Sequence, residues 1–177
     1  MTEMSRPRRL LVAGCALAAA FVMFHGQLAG AVVTRADDAL RAGDVDTAIR
    51  FYERAAQIDP HSAVAADRLA FHLALRHDRA NDVAAVTVAT RALAADATLP
   101  ALYADRAFAE LQLRAWRDAE RDFDRAGTLA RDARYEHFAA RMALRAGNAD
   151  AARRYARLAL ADDPHFAPAR ALLRALE

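Results

Sequence analysis

His72 and His77, with Asp78 beside the second, are the cluster in this 177-residue sequence that most resembles a set of metal ligands. Imidazole and carboxylate together can hold a divalent cation. At 3.6 residues per helical turn, however, a five-residue separation puts the two rings on different faces, and only an intervening turn could bring them together. Solvated turn residues are the simpler assignment. Nucleophilic chemistry has less to work with. Ser5 and Ser62 are the only serines, neither lies in a nucleophile elbow, and Cys15 is the sole cysteine. There is no glycine-rich phosphate loop, no His-Glu-x-x-His and no cysteine pair with metal spacing. The expectation is a non-catalytic protein that needs no metal and no cofactor.

The elements that would carry any function are helices. Alanine makes up more than a quarter of the chain, and there is no lysine, so all 25 Lys+Arg positions are arginine. Such a composition, poor in glycine and in β-branched runs, favours helix throughout. In Leu99–Asp132 the residues Tyr103, Ala107, Leu111 and Trp116, then Ala119, Phe123 and Ala126, recur at three- to five-residue steps. This spacing lines one face of each of two consecutive helices. Small alanines let the backbones approach, and the aromatic side chains fill the space beside them. A pair of alanines seven residues apart recurs at Ala48 and Ala55, Ala85 and Ala92, Ala119 and Ala126, and Ala152 and Ala159. The steps between pairs are 37, 34 and 33 residues.

That period, and the order aromatic, small residue, alanine, aromatic, alanine, resembles the tetratricopeptide repeat, or TPR. The resemblance implies an all-α fold, a right-handed α-solenoid of about four helix-turn-helix repeats. The repeats would span residues 32–60, 63–96, 99–131 and 133–164, with a capping helix over 166–176 to cover the last apolar face. Gly43 suits the end of a first helix, Asp44 or Asp46 the start of a second, and Pro60 its stop. The second copy is degenerate. Ala89 replaces the expected aromatic, and His77–Asp82 predicts a turn about three residues longer than in the other copies.

Residues 1–31 are expected to be an export segment. Arg6, Arg8 and Arg9 precede Leu10–Phe24, which carries no charge, and Leu28–Val33 is again apolar. Three fates fit. As a signal anchor, Leu10–Val33 is long enough to cross a hydrocarbon core of ~30 Å. As a cleaved signal, Ala29-Gly30-Ala31 offers a small-residue site. Val12-Ala13-Gly14-Cys15 resembles a lipobox, although few apolar residues precede it. All three keep the arginines on the cytoplasmic side and export the rest. The chain would then be single-pass in the cytoplasmic membrane with its repeats on the outer, periplasmic side, or else cleaved and periplasmic or secreted.

The net charge of +2 is already accounted for by residues 1–9. The remainder is neutral with interspersed signs, which argues against nucleic acid as a partner. Residues 133–177 are locally basic, with eight arginines against five acidic residues. The TPR resemblance implies a concave groove lined by the first helices, holding an extended peptide or a helix of another protein. In that register Val64, Asp67, Phe71 and Leu75 face the groove from the second repeat. Ala101, Ala104, Phe108 and Gln112 do so from the third, and Arg134, His137, Arg141 and Arg145 from the fourth. Phe71 and Phe108 would be apolar anchors, and Arg141 and Arg145 share a face that could hold a carboxylate. The function expected is a protein-interaction adaptor. The alternatives are an assembly or pilot component of a secretion, pilus or cytochrome-maturation machine, and a self-associating structural protein.

Overall fold

The computed structural model describes residues 6–176, with side chains from residue 15 onward except at 18. Ser5 therefore lies outside the described residues, as do the side chains of the arginine cluster and of Val12–Gly14. The described residues form nine helices and no strand: α1 Arg6–Arg41, α2 Val45–Ile58, α3 Ala63–Ala74, α4 Arg79–Ala95, α5 Pro100–Gln112, α6 Trp116–Ala130, α7 Ala133–Arg145, α8 Ala149–Asp162 and α9 Ala167–Ala175. The chain divides into two compact units, Met1–Ala65 and Ala66–Glu177.

In the first unit α2 packs along the C-terminal part of α1. Ala48, Ile49, Tyr52 and Ala55 of α2 are buried, as are Ala29, Val32, Val33 and Ala36 of α1. The Tyr52 hydroxyl donates to the Asp37 carboxylate, so the largest buried side chain of the unit has its polar tip satisfied. In the second unit each helix from α4 onward packs on the next one in sequence. One cluster joins Ala66 and Ala70 of α3 to Ala89 and Leu93 of α4 and Leu102 of α5. A larger one runs from α5 to α9 through Ala107, Phe123, Met142, Tyr155 and Ala169.

All eight repeat alanines are at most 7% exposed. They sit in pairs on α2, α4, α6 and α8, the second helix of each repeat. Four positions beyond the first alanine stand Tyr52, Ala89, Phe123 and Ala156. In the fourth repeat the buried aromatic is instead Tyr155, one position earlier.

Each turn between paired helices needs one residue in the left-handed region. Gly43 and Gly147 take φ of 81°, and the equivalent places are held by His77 at 54° and Arg114 at 61°. Glycine has no Cβ to clash there, whereas His77 and Arg114 carry backbone strain. The turn after α3 is shorter than the sequence suggests. Asp78 caps α4 by accepting from the Asn81 amide at 3.0 Å. The helix therefore starts at Arg79, and most of the extra length of this repeat is taken up within the 17 residues of α4. The capping carboxylate decides this, because it satisfies an amide that a longer loop would leave to water.

Successive repeats of the second unit are tied by Arg106 on α5. Its Nη2 donates to Asp122 Oδ1 on α6 at 2.8 Å and its Nη1 to the Thr90 hydroxyl on α4 at 3.1 Å. The side chains of Arg106 and Asp122 are only 18% and 10% exposed. Removing one partner of such a pair strands a desolvated charge. Arg106→Ala is expected to cost about 2–3 kcal/mol in urea unfolding, toward the lower end for buried pairs because the site is partly wet. Arg106→Lys should recover only part of the loss, since an ammonium cannot reproduce the two-pronged contact.

Candidate partner-binding face

The face proposed from the sequence is built from α3, α5 and α7, the first helices of repeats two to four. At the end of α3 and in the turn just after it, Phe71 and Leu75 stand out, 43% and 51% exposed, the Leu75 amide still donating to the Phe71 carbonyl. They are four residues apart, one helical turn, so they share a side. Val64 on the same helix is also exposed. The Phe71 ring lies edge-on to its neighbour His72, at 5.1 Å between centroids. Half-exposed large apolar side chains on an inner helix are open to contact.

Asp67, on the same helix, meets Asp105 of α5, and the two carboxyls share a hydrogen bond. Asp105 is buried, and Asp67 is half-buried. Burial, reinforced by the Asp67 charge, raises the Asp105 carboxyl to about 8, while Arg68 opposes the shift. Burial also pushes Asp67 above its ordinary value. At neutral pH the pair therefore holds one proton between two oxygens. Both carboxyls also raise the nearby Tyr135 hydroxyl on α7, after the larger effect of its own burial.

Phe108 is half-buried and sits in an aromatic cluster contributed by α5, α6 and α7. Its ring lies edge-on to Phe123 at 5.0 Å and to Phe138 at 5.3 Å, and Phe123 stacks on Phe138 at 5.1 Å. The Gln112 carboxamide is committed to a neighbouring helix end: Nε2 donates to the Ala74 carbonyl at 2.8 Å, and Oε1 meets the His77 ring. Those contacts join the end of α5 to the end of α3.

On α7, Arg134 is paired in two-pronged fashion with Asp132, which also caps the helix. The guanidinium of Arg145 lies over the Trp116 ring, 4.9 Å from its centroid. Arg145 and Trp116 help line an open cleft of about 380 Å³ with Arg114 and Arg117. His137 packs edge-on against Phe166 at 5.7 Å, and its Nδ1 is buried without a hydrogen-bond partner. Burial, with a smaller effect from Arg141, lowers its pKa below the ordinary value, so the ring is neutral at pH 7. Arg141 is exposed and makes no ion pair among the described residues.

No protein-family model matches the sequence, and no curated protein matches it. Solved structures do match the fold. The crystal structure of MamA protein superposes with a TM-score of 0.75 at 18% identity, over 85% of this chain and 81% of that one. A tetratricopeptide repeat protein from Parabacteroides merdae superposes with a TM-score of 0.70 at 16% identity, over 85% of this chain and 59% of that one. The first TPR of Spaghetti (RPAP3), solved bound to the HSP90 peptide SRMEEVD, gives 0.53 at 18% identity, over 85% of this chain and 91% of that one. The chain has the tetratricopeptide-repeat fold.

Within the TPR fold the sequence-derived face separates into two groups. Phe71, Leu75, Ala101, Arg134 and Arg141 present exposed side chains. Asp67, Phe108, Gln112 and His137 are half-buried and engaged with neighbouring helices, and Ala104 is buried. Arg145 is exposed but rests on Trp116. His77 is held by Gln112, and His72 remains on α3, where its ring contacts Phe71.

Asp105 is not among the residues that sequence reasoning selected. Its signal is an acid in the middle of an apolar stripe, since Leu102, Asp105 and Ala109 share the buried side of α5. Glu136 is a second case. Its carboxyl lies where a side chain on residue 127 would be, with Oε1 only 2.6 Å from a Cβ placed on Gly127. Burial raises the Glu136 carboxyl to about 7, and its Oε2 has no hydrogen-bond partner. Gly127 is thus the residue that lets α7 close on α6.

Proposed function

We propose that this protein is a non-catalytic adaptor that holds a segment of another protein against the α3–α5–α7 face. The observation that carries this is the exposed pair Phe71 and Leu75 at the C-terminal end of α3, a first helix of a repeat in a TPR fold. Two large apolar side chains left uncovered there provide the anchor contacts that dominate interface energies. The helices beneath them are packed and cross-tied by Arg106 and Gln112, so little ordering entropy is spent when a partner docks. Spaghetti's first TPR binds an HSP90 peptide carrying acidic residues, and here the exposed Arg141 would meet an acidic residue of the partner. The α1 stretch Cys15–Arg41 is long and apolar enough to cross a membrane. We take α1 as a single-pass anchor in the cytoplasmic membrane that keeps the repeats on its outer face.

Site-directed photo-crosslinking in the producing cell tests the adaptor reading. Benzoylphenylalanine at Phe71 and at Arg141 should yield an adduct with one and the same protein. The same probe at Leu158, exposed on the outer helix α8, should not. Adding Leu75→Ala to the Arg141 probe should weaken the adduct, in line with a loss of about 1–2 kcal/mol for a single anchor side chain. An adduct of equal strength at Leu158, or none at Phe71 and Arg141, would overturn the assignment of this face.

A further inference from the structure

The most extensive uncovered apolar surface among the described residues is on α1, and it stops where the first repeat begins. Leu17, Phe21, Val22, Met23 and Phe24 are between 63% and 73% exposed. Four of them are consecutive, so they surround the helix rather than form a stripe, and an all-round apolar helix suits hydrocarbon on every side. From Ala29 onward the same helix is buried against α2, through Ala29, Val32, Val33 and Ala36. At Gly26 a Cβ would already stand 3.9 Å from the Asp59 carboxylate at the end of α2.

The length matches this change of surroundings. Leu10–Thr34 contains no charged residue. A hydrocarbon core takes about 20 helical residues, which counted from Leu10 end at Ala29. The exit from hydrocarbon at Ala29 therefore lies within one turn of Gly26, where the helix first comes near the end of α2, and no residue is left over for a linker.

An independent sign is the missing helix start. Asp44, Ser62, Asp78, Asp132 and Asn148 each accept a backbone amide at the beginning of α2, α3, α4, α7 and α8, α5 and α9 begin with a proline in their first turn, and α6 alone among α2–α9 starts, after Ala115, with neither. Residues 27–31, Gln-Leu-Ala-Gly-Ala, offer neither device. The Thr34 hydroxyl instead donates to the Gly30 carbonyl at 3.1 Å inside a continuous helix. Cleavage after Ala31 would leave a first helix of Val32–Arg41 with an uncapped start and without the buried Ala29.

We infer that α1 is one uncut helix shared by two solvents: its N-terminal part lies in the lipid bilayer, and its last turns from Ala29 are the first helix of repeat one. Ala29-Gly30-Ala31 is then not a processing site, and repeat one rests against the headgroups with Asp59 at that level. This inference rests on the reading of α1 as a membrane segment.

The full chain in its native membrane provides the test. Intact mass and carbonate extraction are combined with single cysteines at Phe21, Phe24 and Thr34 in a Cys15→Ser background. An impermeant maleimide is added from the side carrying the repeats. The expected result is a full-length, carbonate-resistant protein that labels at position 34 and about tenfold more slowly at 21 and 24, which lie in hydrocarbon. A membrane-bound or soluble product starting near Val32 would overturn the shared helix and leave export standing. A full-length product released by carbonate would overturn the membrane reading together with the inference. Resistant protein that labels equally at all three positions would overturn the exit at Ala29 alone. Protection at 21 and 24 that persists in lipid-free buffer would assign this surface to a second copy of the chain and overturn the lipid assignment.

Discussion

Phe123→Ala is expected to destabilise the second unit by about 3–5 kcal/mol, measured by urea or thermal unfolding. Phe123 is fully buried and touches the rings of Phe108 and Phe138 from the helices on either side. Its removal costs the transfer of a large apolar side chain, opens a cavity and breaks two aromatic contacts at once. The buried alanines of the same cluster, Ala107, Ala119 and Ala139, are too short to reach into the space, so only a shift of longer neighbours such as Phe108 and Phe138 could fill part of it. Phe123→Leu, which keeps most of the volume, should lose about 1–2 kcal/mol. A Phe123→Ala variant as stable as the parent would mean that α5, α6 and α7 are not joined through this cluster.

Asp105→Asn is expected to leave stability near the parent's at pH 4 and to raise it, on the order of 3 kcal/mol, at pH 8.5. The folded carboxyl ionises near 8, against 3.8 in an unexceptional setting. Below pH 4 both the folded and the unfolded chain hold the proton, and the group favours neither. As pH rises, the unfolded chain releases the proton first, so stability falls across the window from about 4 to 8 and stays low above it. Asn cannot titrate, and its amide can still donate to Asp67. The other ionisable groups facing the site are Arg68 on α3 and Tyr135 on α7. Tyr135, raised above its ordinary value, stays neutral throughout the window. The gain of the variant over the parent at each pH thus isolates Asp105 from Glu110 and Glu136, raised to about 8 and 7 by burial. A stability difference that does not change between pH 4 and 8.5 would mean that the Asp67–Asp105 pair carries no shared proton.

Much of the architecture was legible in the residues alone. The alanine pairs, their seven-residue internal spacing and the period near 34 are local and periodic, and helix geometry turns such spacing directly into a buried face. Gly43, Gly147, Asp44 and Asn148 mark turns and caps that act within a few residues. The second repeat was harder because its local signs conflict: His77 occupies a left-handed position usually given to glycine, and Ala89 occupies an aromatic position.

The sequence by itself therefore determined an all-α TPR-type fold, the places where its helices turn, and a charge-free N-terminal stretch long enough to cross a membrane. Only the tertiary structure decided what each side chain on the inner helices meets. It engaged Phe108 with Phe123 and Phe138, and Gln112 with Ala74 and His77, while leaving Phe71, Leu75 and Arg141 outward. It also paired Asp67 with Asp105, Arg106 with Asp122 and Glu136 with Gly127. The reason is physical. Helix formation and capping depend on neighbours within about one or two turns, whereas these contacts lie across helix pairs. Small differences in helix crossing, set by which alanine or glycine lets two backbones approach, move such side chains between solvent and core.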